Sequence, residues 1–148
     1  YHAWIDSKNL LLFVLAENGH ELQHYNLDTK KNTVLAKSIG RSLHNIPGQS
    51  AMSFIDKSDS NQWLIKRYDS KTGAITTIAP TLKQKEDITW TSNGTILSSD
   101  GESIYSYTPG KSKSWQAVTF EGDAALLKSI TRMAANKSNS QLAVVISE

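Results

Sequence analysis

Apolar residues lie along the chain in short runs of strand length, and clusters of Gly, Pro, Asn, Asp and Ser separate the runs. The separating clusters include Asn18-Gly19, Pro47-Gly48 and Ser92-Asn-Gly94, which are common connections between antiparallel strands. Many of the runs contain β-branched and aromatic residues, which favour strands. The pattern therefore predicts an all-β fold, in which only the stretch from Asp123 to Lys128 resembles a short helical turn.

The runs repeat along the chain. Residues 87–118 give the template, in which four β-type runs are each closed by turn residues. The same series occurs twice upstream and begins again at Ile130, and the third run of each full copy carries a tyrosine about 40 residues after the previous one. Each tyrosine follows an apolar residue three positions earlier, giving the pairs Leu22 and Tyr25, Ile65 and Tyr68, and Ile104 and Tyr107. A period near 40 residues with four strands per unit is typical of a β-propeller blade, whereas the β-branched content disfavours helical hairpins of similar period.

This repeat predicts an incomplete β-propeller built from four-stranded antiparallel blades. We expect one partial propeller domain over residues 1–148, with blades at about 1–41, 42–86 and 87–128 and the inner half of a fourth at 129–148. The second strand of a blade is its most enclosed, so its alternating apolar residues should be buried. These residues are Leu12, Val14, Phe54, Ile96, Leu142 and Val144.

An incomplete ring leaves open sheet edges, because closed propellers have about four to eight blades. The exposed parts would be the edge of the strand from Gln141 to Ser147 and the apolar flank of the first blade around Trp4 and Leu11. We therefore expect self-association, or completion by missing N-terminal blades, and no stable isolated monomer. The chain also begins at Tyr1 rather than Met, which indicates a processed product or a piece of a longer protein.

The segment His20-Glu-Leu-Gln-His24 matches the H-E-x-x-H signature of zinc metalloproteases. That signature works on a helix, where the two histidines lie one turn apart and reach one ion. In the repeat the segment falls in the third strand of the first blade, where four residues span about 13 Å. The remaining histidines, His2 and His44, continue no zinc-protease pattern, so we predict a strand and no metal site. Exchange of either histidine of the signature for Ala should leave both the stability and the metal content nearly unchanged.

Other catalytic signatures are weak. Gly48-Gln-Ser50 lacks the second glycine of a nucleophile elbow, and adjacent Glu86 and Asp87 would point to opposite faces of a strand. The chain has no cysteine, which excludes thiolate catalysis. We predict no catalytic residue and no cofactor.

Charge and hydropathy exclude further classes. The net charge is +2 and the basic residues are scattered, which argues against a nucleic-acid surface. The longest apolar run, Leu10 to Ala16, is too short to span a bilayer.

The innermost strands of a propeller line its central channel, and ligands commonly sit at the channel mouth. An aromatic ring, an imidazole and a guanidinium that converge there could grip a peptide, a sugar or a loop of a partner. The candidate binding residues on the predicted innermost strands are Trp4, His44, Asn45, Trp90 and Arg132.

Two stretches carry a family resemblance. Thr91-Ser-Asn-Gly94-Thr-Ile-Leu and Asn136-Lys-Ser-Asn-Ser-Gln-Leu-Ala-Val-Val resemble the S-P-D-G turn and following strand of TolB-like (WD40-like) β-propeller repeats. The run from Trp90 to Trp115 is similar to the penultimate blade, and Ile130-Thr-Arg-Met to the C-terminal end, of six-bladed exported bacterial propellers. The resemblance implies a periplasmic or otherwise extracytoplasmic bacterial protein.

The function that these features favour is a non-enzymatic binding or scaffold module. It would engage a protein or peptide through the propeller loop face or the channel mouth. One alternative is a propeller enzyme of lactonase or lyase type, which needs inward metal ligands from several blades. Another is the gating propeller of a prolyl-oligopeptidase-like protease whose catalytic domain lies elsewhere.

Overall fold

The computed structural model describes residues 1–122 and 127–147. The described residues form short strands, and none of them lies in a helix that could cross a membrane. The strands are β1 (His2–Trp4), β2 (Asn9–Ala16), β3 (Gly19–Asn26), β4 (Asn32–Lys37), β5 (His44–Asn45), β6 (Ala51–Asp56), β7 (Leu64–Asp69), β8 (Ile75–Pro80), β9 (Ile88–Trp90), β10 (Ile96–Ser99), β11 (Ile104–Tyr107), β12 (Gln116–Ala117), β13 (Ile130–Ala135) and β14 (Leu142–Ile146). The helical turn predicted from Asp123 to Lys128 lies outside the described residues over its first four positions.

The strands form antiparallel sheets in which each strand pairs with the next one along the chain. Sheet 1 contains β1–β4, sheet 2 contains β5–β8, sheet 3 contains β9–β12, and sheet 4 is the pair β13–β14. The prediction of an all-β, incomplete propeller of four-stranded antiparallel blades is confirmed. The chain divides into two compact units, residues 1–86 and 87–148. The grouping of all the blades into one domain, with the boundaries given above, stays a prediction.

The core of the first unit joins sheets 1 and 2. Its largest side chain is the fully buried Phe54, and the other buried members are Leu11, Leu22, Ile39, Leu43, Met52 and Tyr68. Each large apolar side chain removed from water contributes roughly 1.5–3 kcal/mol. Burial of this cluster therefore fixes which faces of the two sheets meet.

The second unit has its own core around Ile104, Ile130 and Met133. Polar contacts tie its parts together, because the Met133 backbone N–H donates to Asp87 Oδ2 at 3.2 Å. The Ser92 backbone N–H likewise donates to Asn139 Oδ1 at 2.8 Å.

The burial predicted for the second strands is correct in part. Phe54 and Ile96 are buried, but Leu12, Val14, Leu142 and Val144 are only half-buried. In β2 the fully buried residue is Leu11, so the prediction that Leu11 lies on an exposed flank is wrong. The physical reason is that β2 is apolar at both alternating positions, so its sequence does not distinguish the inward face.

Candidate functional site

A cleft of about 580 Å³ opens in the first unit where several chain turns meet. Its walls are the β1–β2 loop (residues 5–9), the hairpin between β5 and β6 (residues 45–52), and the turn that follows β7 (residues 70–71). His24 of β3 also lines it. The cleft therefore lies at the end of sheets 1 and 2 where loops, rather than strands, carry the surface.

The β1–β2 wall is held by the carboxylate of Asp6. Asp6 Oδ1 accepts hydrogen bonds from the backbone N–H groups of Lys8 at 2.8 Å and Asn9 at 2.9 Å. The side-chain amide of Asn9 donates to both carboxylate oxygens, at 3.0 and 2.9 Å. The bond from the Lys8 backbone is the main reason that the pKa of Asp6 lies below its ordinary value. The loop is thus built around an ionised Asp6.

The same wall continues into β3 through Asn9. The Asn9 Oδ1 atom accepts from Asn26 Nδ2 at 2.7 Å and from His24 Nε2 at 3.0 Å. Because this amide oxygen can only accept, the Nε2 atom of His24 carries a proton. The imidazole is thereby fixed at the side of the cleft, and its ring centroid lies 6.2 Å from that of Tyr68.

The opposite wall is the tight hairpin between β5 and β6. The Ile46 backbone N–H donates to the carbonyl of Ala51 at 3.0 Å, and Gly48 takes a φ of +72°, which favours glycine. The turn after β7 is fastened to this hairpin, because Ser70 Oγ donates to the Ser50 carbonyl at 2.8 Å. Ile46, Ala51 and Met52 also line the cleft and are buried.

Several polar groups of the cleft remain unused within the described residues. The side-chain amide of Asn45 and the Lys71 ammonium have no hydrogen-bond or ion-pair partner there. Gln49 uses its Oε1 atom to accept from Arg67 Nε at 3.0 Å, which leaves its amide N–H groups for other acceptors. Fixed walls and a few unused polar groups are features that small ligand sites share.

The predicted binding residues are distributed over both units. Asn45 lines the cleft, whereas neighbouring His44 on β5 is half-buried and its Nε2 lies 3.0 Å from Ser42 Oγ. Trp4 on β1 is 47% exposed and does not line the cleft. In the second unit Trp90 on β9 is buried and Arg132 on β13 is exposed. The convergence of all these residues at one channel mouth stays a prediction.

The sequence did not point to Asp6, Asn9 or Lys71 as part of a site. The one signal for the first two was Asp6-Ser-Lys-Asn9, a spacing in which Asp bonds the backbone two and three residues on. That spacing indicates a loop held by side-chain hydrogen bonds, but it does not indicate that the loop forms the wall of a cleft.

The H-E-x-x-H segment lies in β3, as predicted. His20 is exposed and its ring centroid lies 4.7 Å from that of Phe13, while His24 is bonded to Asn9. Among residues 1–122 and 127–147, no three or more His, Asp or Glu side chains are grouped so that they could hold a metal ion.

Sheets 1–3 are four-stranded and antiparallel, they follow one another in chain order, and sheet 4 has two strands. This arrangement is that of a β-propeller of TolB-like fold. The chain is similar to TolB from Acinetobacter baumannii, with a TM-score of 0.67 over 97% of this chain and 19% sequence identity. The match spans 36% of the length of that protein. No protein-family model and no curated protein matches the sequence. The resemblance predicted from the turns is therefore confirmed for the fold.

Proposed function

We propose that the chain is a non-enzymatic binding module that engages a protein or peptide through its loop end. The observation that carries this proposal is the cleft of about 580 Å³, whose walls are fixed by hydrogen bonds while Asn45, Gln49 and Lys71 keep unused donors. A rigid site of this kind loses little conformational entropy when a ligand binds. The TolB-like fold supports the proposal, because loops on a rigid sheet scaffold commonly carry binding functions.

The cleft favours binding over the lactonase or lyase alternative. The groups in it best suited to acid–base work, Asp6 and His24, are both engaged in the hydrogen-bond network that shapes the wall. The gating-propeller alternative uses the same fold, and no contact of the described residues favours it specifically.

A location outside the cytoplasm of a bacterium belongs to the same proposal. It is supported by the resemblance of the turn sequences to those of exported propellers. Fractionation of cells that produce the protein would test it, and recovery with the cytoplasmic fraction would contradict it.

Ring completion is a second part of the proposal. The face of sheet 1 opposite the core carries Trp4 and Val34 in exposed positions, and β14 has no strand on its second edge among the described residues. Both features support self-association or completion by further blades.

Selection from a random peptide library tests the binding function. Peptides enriched on the wild-type chain should lose binding to Ser50→Trp, because the indole fills the cleft, and should keep it on Ser60→Trp. Ser60 is an exposed residue of the β6–β7 connection that does not line the cleft, so it is the matched control. Equal binding to both variants, or the absence of any enrichment, would contradict the proposal.

A further inference from the structure

We propose that the cleft selects peptides that carry a carboxylate, and that Lys71 recognises it. This inference rests on the proposed binding function. It names the ligand chemistry that the same site would take.

The first step is the charge balance at this end of the molecule. Asp69 accepts from Arg67 Nη2 at 2.7 Å and from the backbone N–H groups of Lys71 and Thr72 at 2.9 and 3.0 Å. Arg67 is further held by Gln49. The charges of Arg67 and Asp69 therefore satisfy each other. The Lys71 backbone N–H donates to Asp69, whereas the Lys71 ammonium has no partner among the described residues.

The second step concerns the anion on the opposite wall. Both oxygens of Asp6 already accept hydrogen bonds from its own loop, so Asp6 offers little to a ligand cation. Its negative charge also disfavours a second carboxylate beside it. A ligand carboxylate is thereby directed to the side of the cleft where Lys71 lies.

The third step concerns the rest of a ligand. The side-chain amide of Asn45 offers a donor and an acceptor to an extended peptide main chain, and the amide N–H groups of Gln49 offer further donors. A peptide thus uses the amides and the ammonium together, whereas an inorganic anion would use only the ammonium.

The carboxylate could come from a Glu or Asp side chain or from a peptide C-terminus, and the probes separate these sources. They are acetyl-Ser-Ala-Glu-Ala-Ser-amide, the same peptide with Gln in place of Glu, and the Gln peptide with a free C-terminal carboxylate. Titrations followed by amide chemical shifts of the ¹⁵N-labelled chain report both affinity and location.

We expect the Glu peptide or the free-carboxylate peptide to bind about 3- to 10-fold more tightly than the blocked Gln peptide, which is the size of one exposed ion pair. The preference should vanish in Lys71→Gln and in high salt, because a solvent-exposed charge pair is screened. Lys31→Gln should retain it, since Lys31 is an exposed lysine of the β3–β4 turn that does not line the cleft.

Equal affinity for all the peptides at the cleft would overturn the carboxylate inference and leave the binding function standing. A preference that persists in Lys71→Gln would overturn the role of Lys71. If none of the peptides changes the amide chemical shifts of the cleft residues, this inference is overturned. If the library selection also fails, the proposed binding function is overturned as well.

Discussion

Phe54 is the largest of the fully buried side chains among the described residues, and it belongs to the first unit's core. Its exchange for Ala removes the contacts with that cluster and leaves a cavity between sheets 1 and 2. We expect Phe54→Ala to lower the free energy of unfolding by about 3–5 kcal/mol. Chemical denaturation of the purified chain measures this loss.

Phe120 provides the control for Phe54, because the same side chain is there 51% exposed. Phe120→Ala should change the free energy of unfolding by no more than about 0.5 kcal/mol. A loss of less than about 1 kcal/mol in Phe54→Ala would mean that β6 lies at the surface and that its register is wrong.

Glu86 links two segments of the first unit that are distant in sequence. Its Oε1 accepts from Arg41 Nε and its Oε2 from Lys57 Nζ, each at 3.0 Å, and the Lys57 ammonium lies 3.9 Å from the ring centroid of Trp63. Burial raises the pKa of Glu86, but the hydrogen bonds and charges of Lys57 and Arg41 together outweigh it, so the pKa lies below its ordinary value of 4.5. The folded state therefore favours the ionised carboxylate.

The stabilisation from Glu86 should depend on pH. A carboxyl group whose pKa is lowered by folding contributes above its unfolded pKa of 4.5, and the contribution is lost as the pH falls through the lowered value. Glu86→Gln should therefore reduce the free energy of unfolding by about 1–3 kcal/mol at pH 7 and by clearly less near pH 3. Denaturation at both pH values gives the two differences.

Glu102→Gln, at an exposed position, is the control and should show little change at either pH. A loss in Glu86→Gln that is the same at pH 3 and pH 7 would show that side-chain packing, and not the charge, is responsible.

For single residues, the sequence predicted which side chains are buried better than which residues they contact. Phe54 was identified as core because it alternates in an apolar strand with clear turns on either side. The contacts of Glu86 were not predictable, because Arg41 and Lys57 lie 45 and 29 residues away along the chain. The position of Asn45 on an innermost strand predicts a binding residue. The other walls of its cleft come from sheet 1 and from the turn after β7, which the sequence did not place beside it.

At the scale of elements, the hairpin between β9 and β10 depends on Gly94. Its φ of +84° is costly for residues with a Cβ atom, although nothing lies within 4 Å of where that atom would be. Gly94→Ala should therefore destabilise the chain by about 1–2 kcal/mol through backbone strain alone. Gly94→Asn should cost less, because Asn tolerates this conformation better. Thermal or chemical unfolding of both variants tests the order.

Gly40 is the contrasting glycine. A Cβ atom there would lie 2.9 Å from Glu86 Oε2 and 3.0 Å from Ile55 Cβ, so the obstacle is space and not backbone conformation. At Gly40 the larger Asn should cost more than Ala, the reverse of the order at Gly94. The same order at both positions would contradict this assignment of causes.

The strands and turns were predictable because most of the turns carry Gly, Pro or Asn between the apolar runs of the repeat. Which side chains of β2 point into the core was not predictable, because residues 10–16 are apolar throughout and show no alternation of apolar and polar positions. The orientation of the β2 side chains is set by the pairing of β2 with its neighbours and by packing against sheet 2, in which Leu11 is buried and Leu12 is half-buried.

At the scale of the whole molecule, the uncovered face of sheet 1 is the feature that bears on assembly. Direct cross-strand pairing places Trp4 beside Leu10, Leu10 beside Tyr25, Leu12 beside Gln23 and Gln23 beside Val34. This face lies opposite Leu11, and Trp4 and Val34 on it are each 47% exposed. Gln23 separates Val34 from Leu12, but the other residues named on this face are apolar or aromatic, and exposed apolar patches mark interaction sites in soluble proteins.

Self-association through this face is the last prediction. The purified chain should show a sedimentation coefficient that rises over a concentration series, because a second copy covers the apolar surface that a monomer exposes. Val34→Lys should weaken the association, since it places an ammonium on the exposed outer strand β4 without disturbing the core. Ile75→Lys is the matched control, because Ile75 is 38% exposed on the outer strand β8 of sheet 2. A wild-type chain that stays monomeric throughout, or an equal effect of both variants, would show that this face takes no part in assembly.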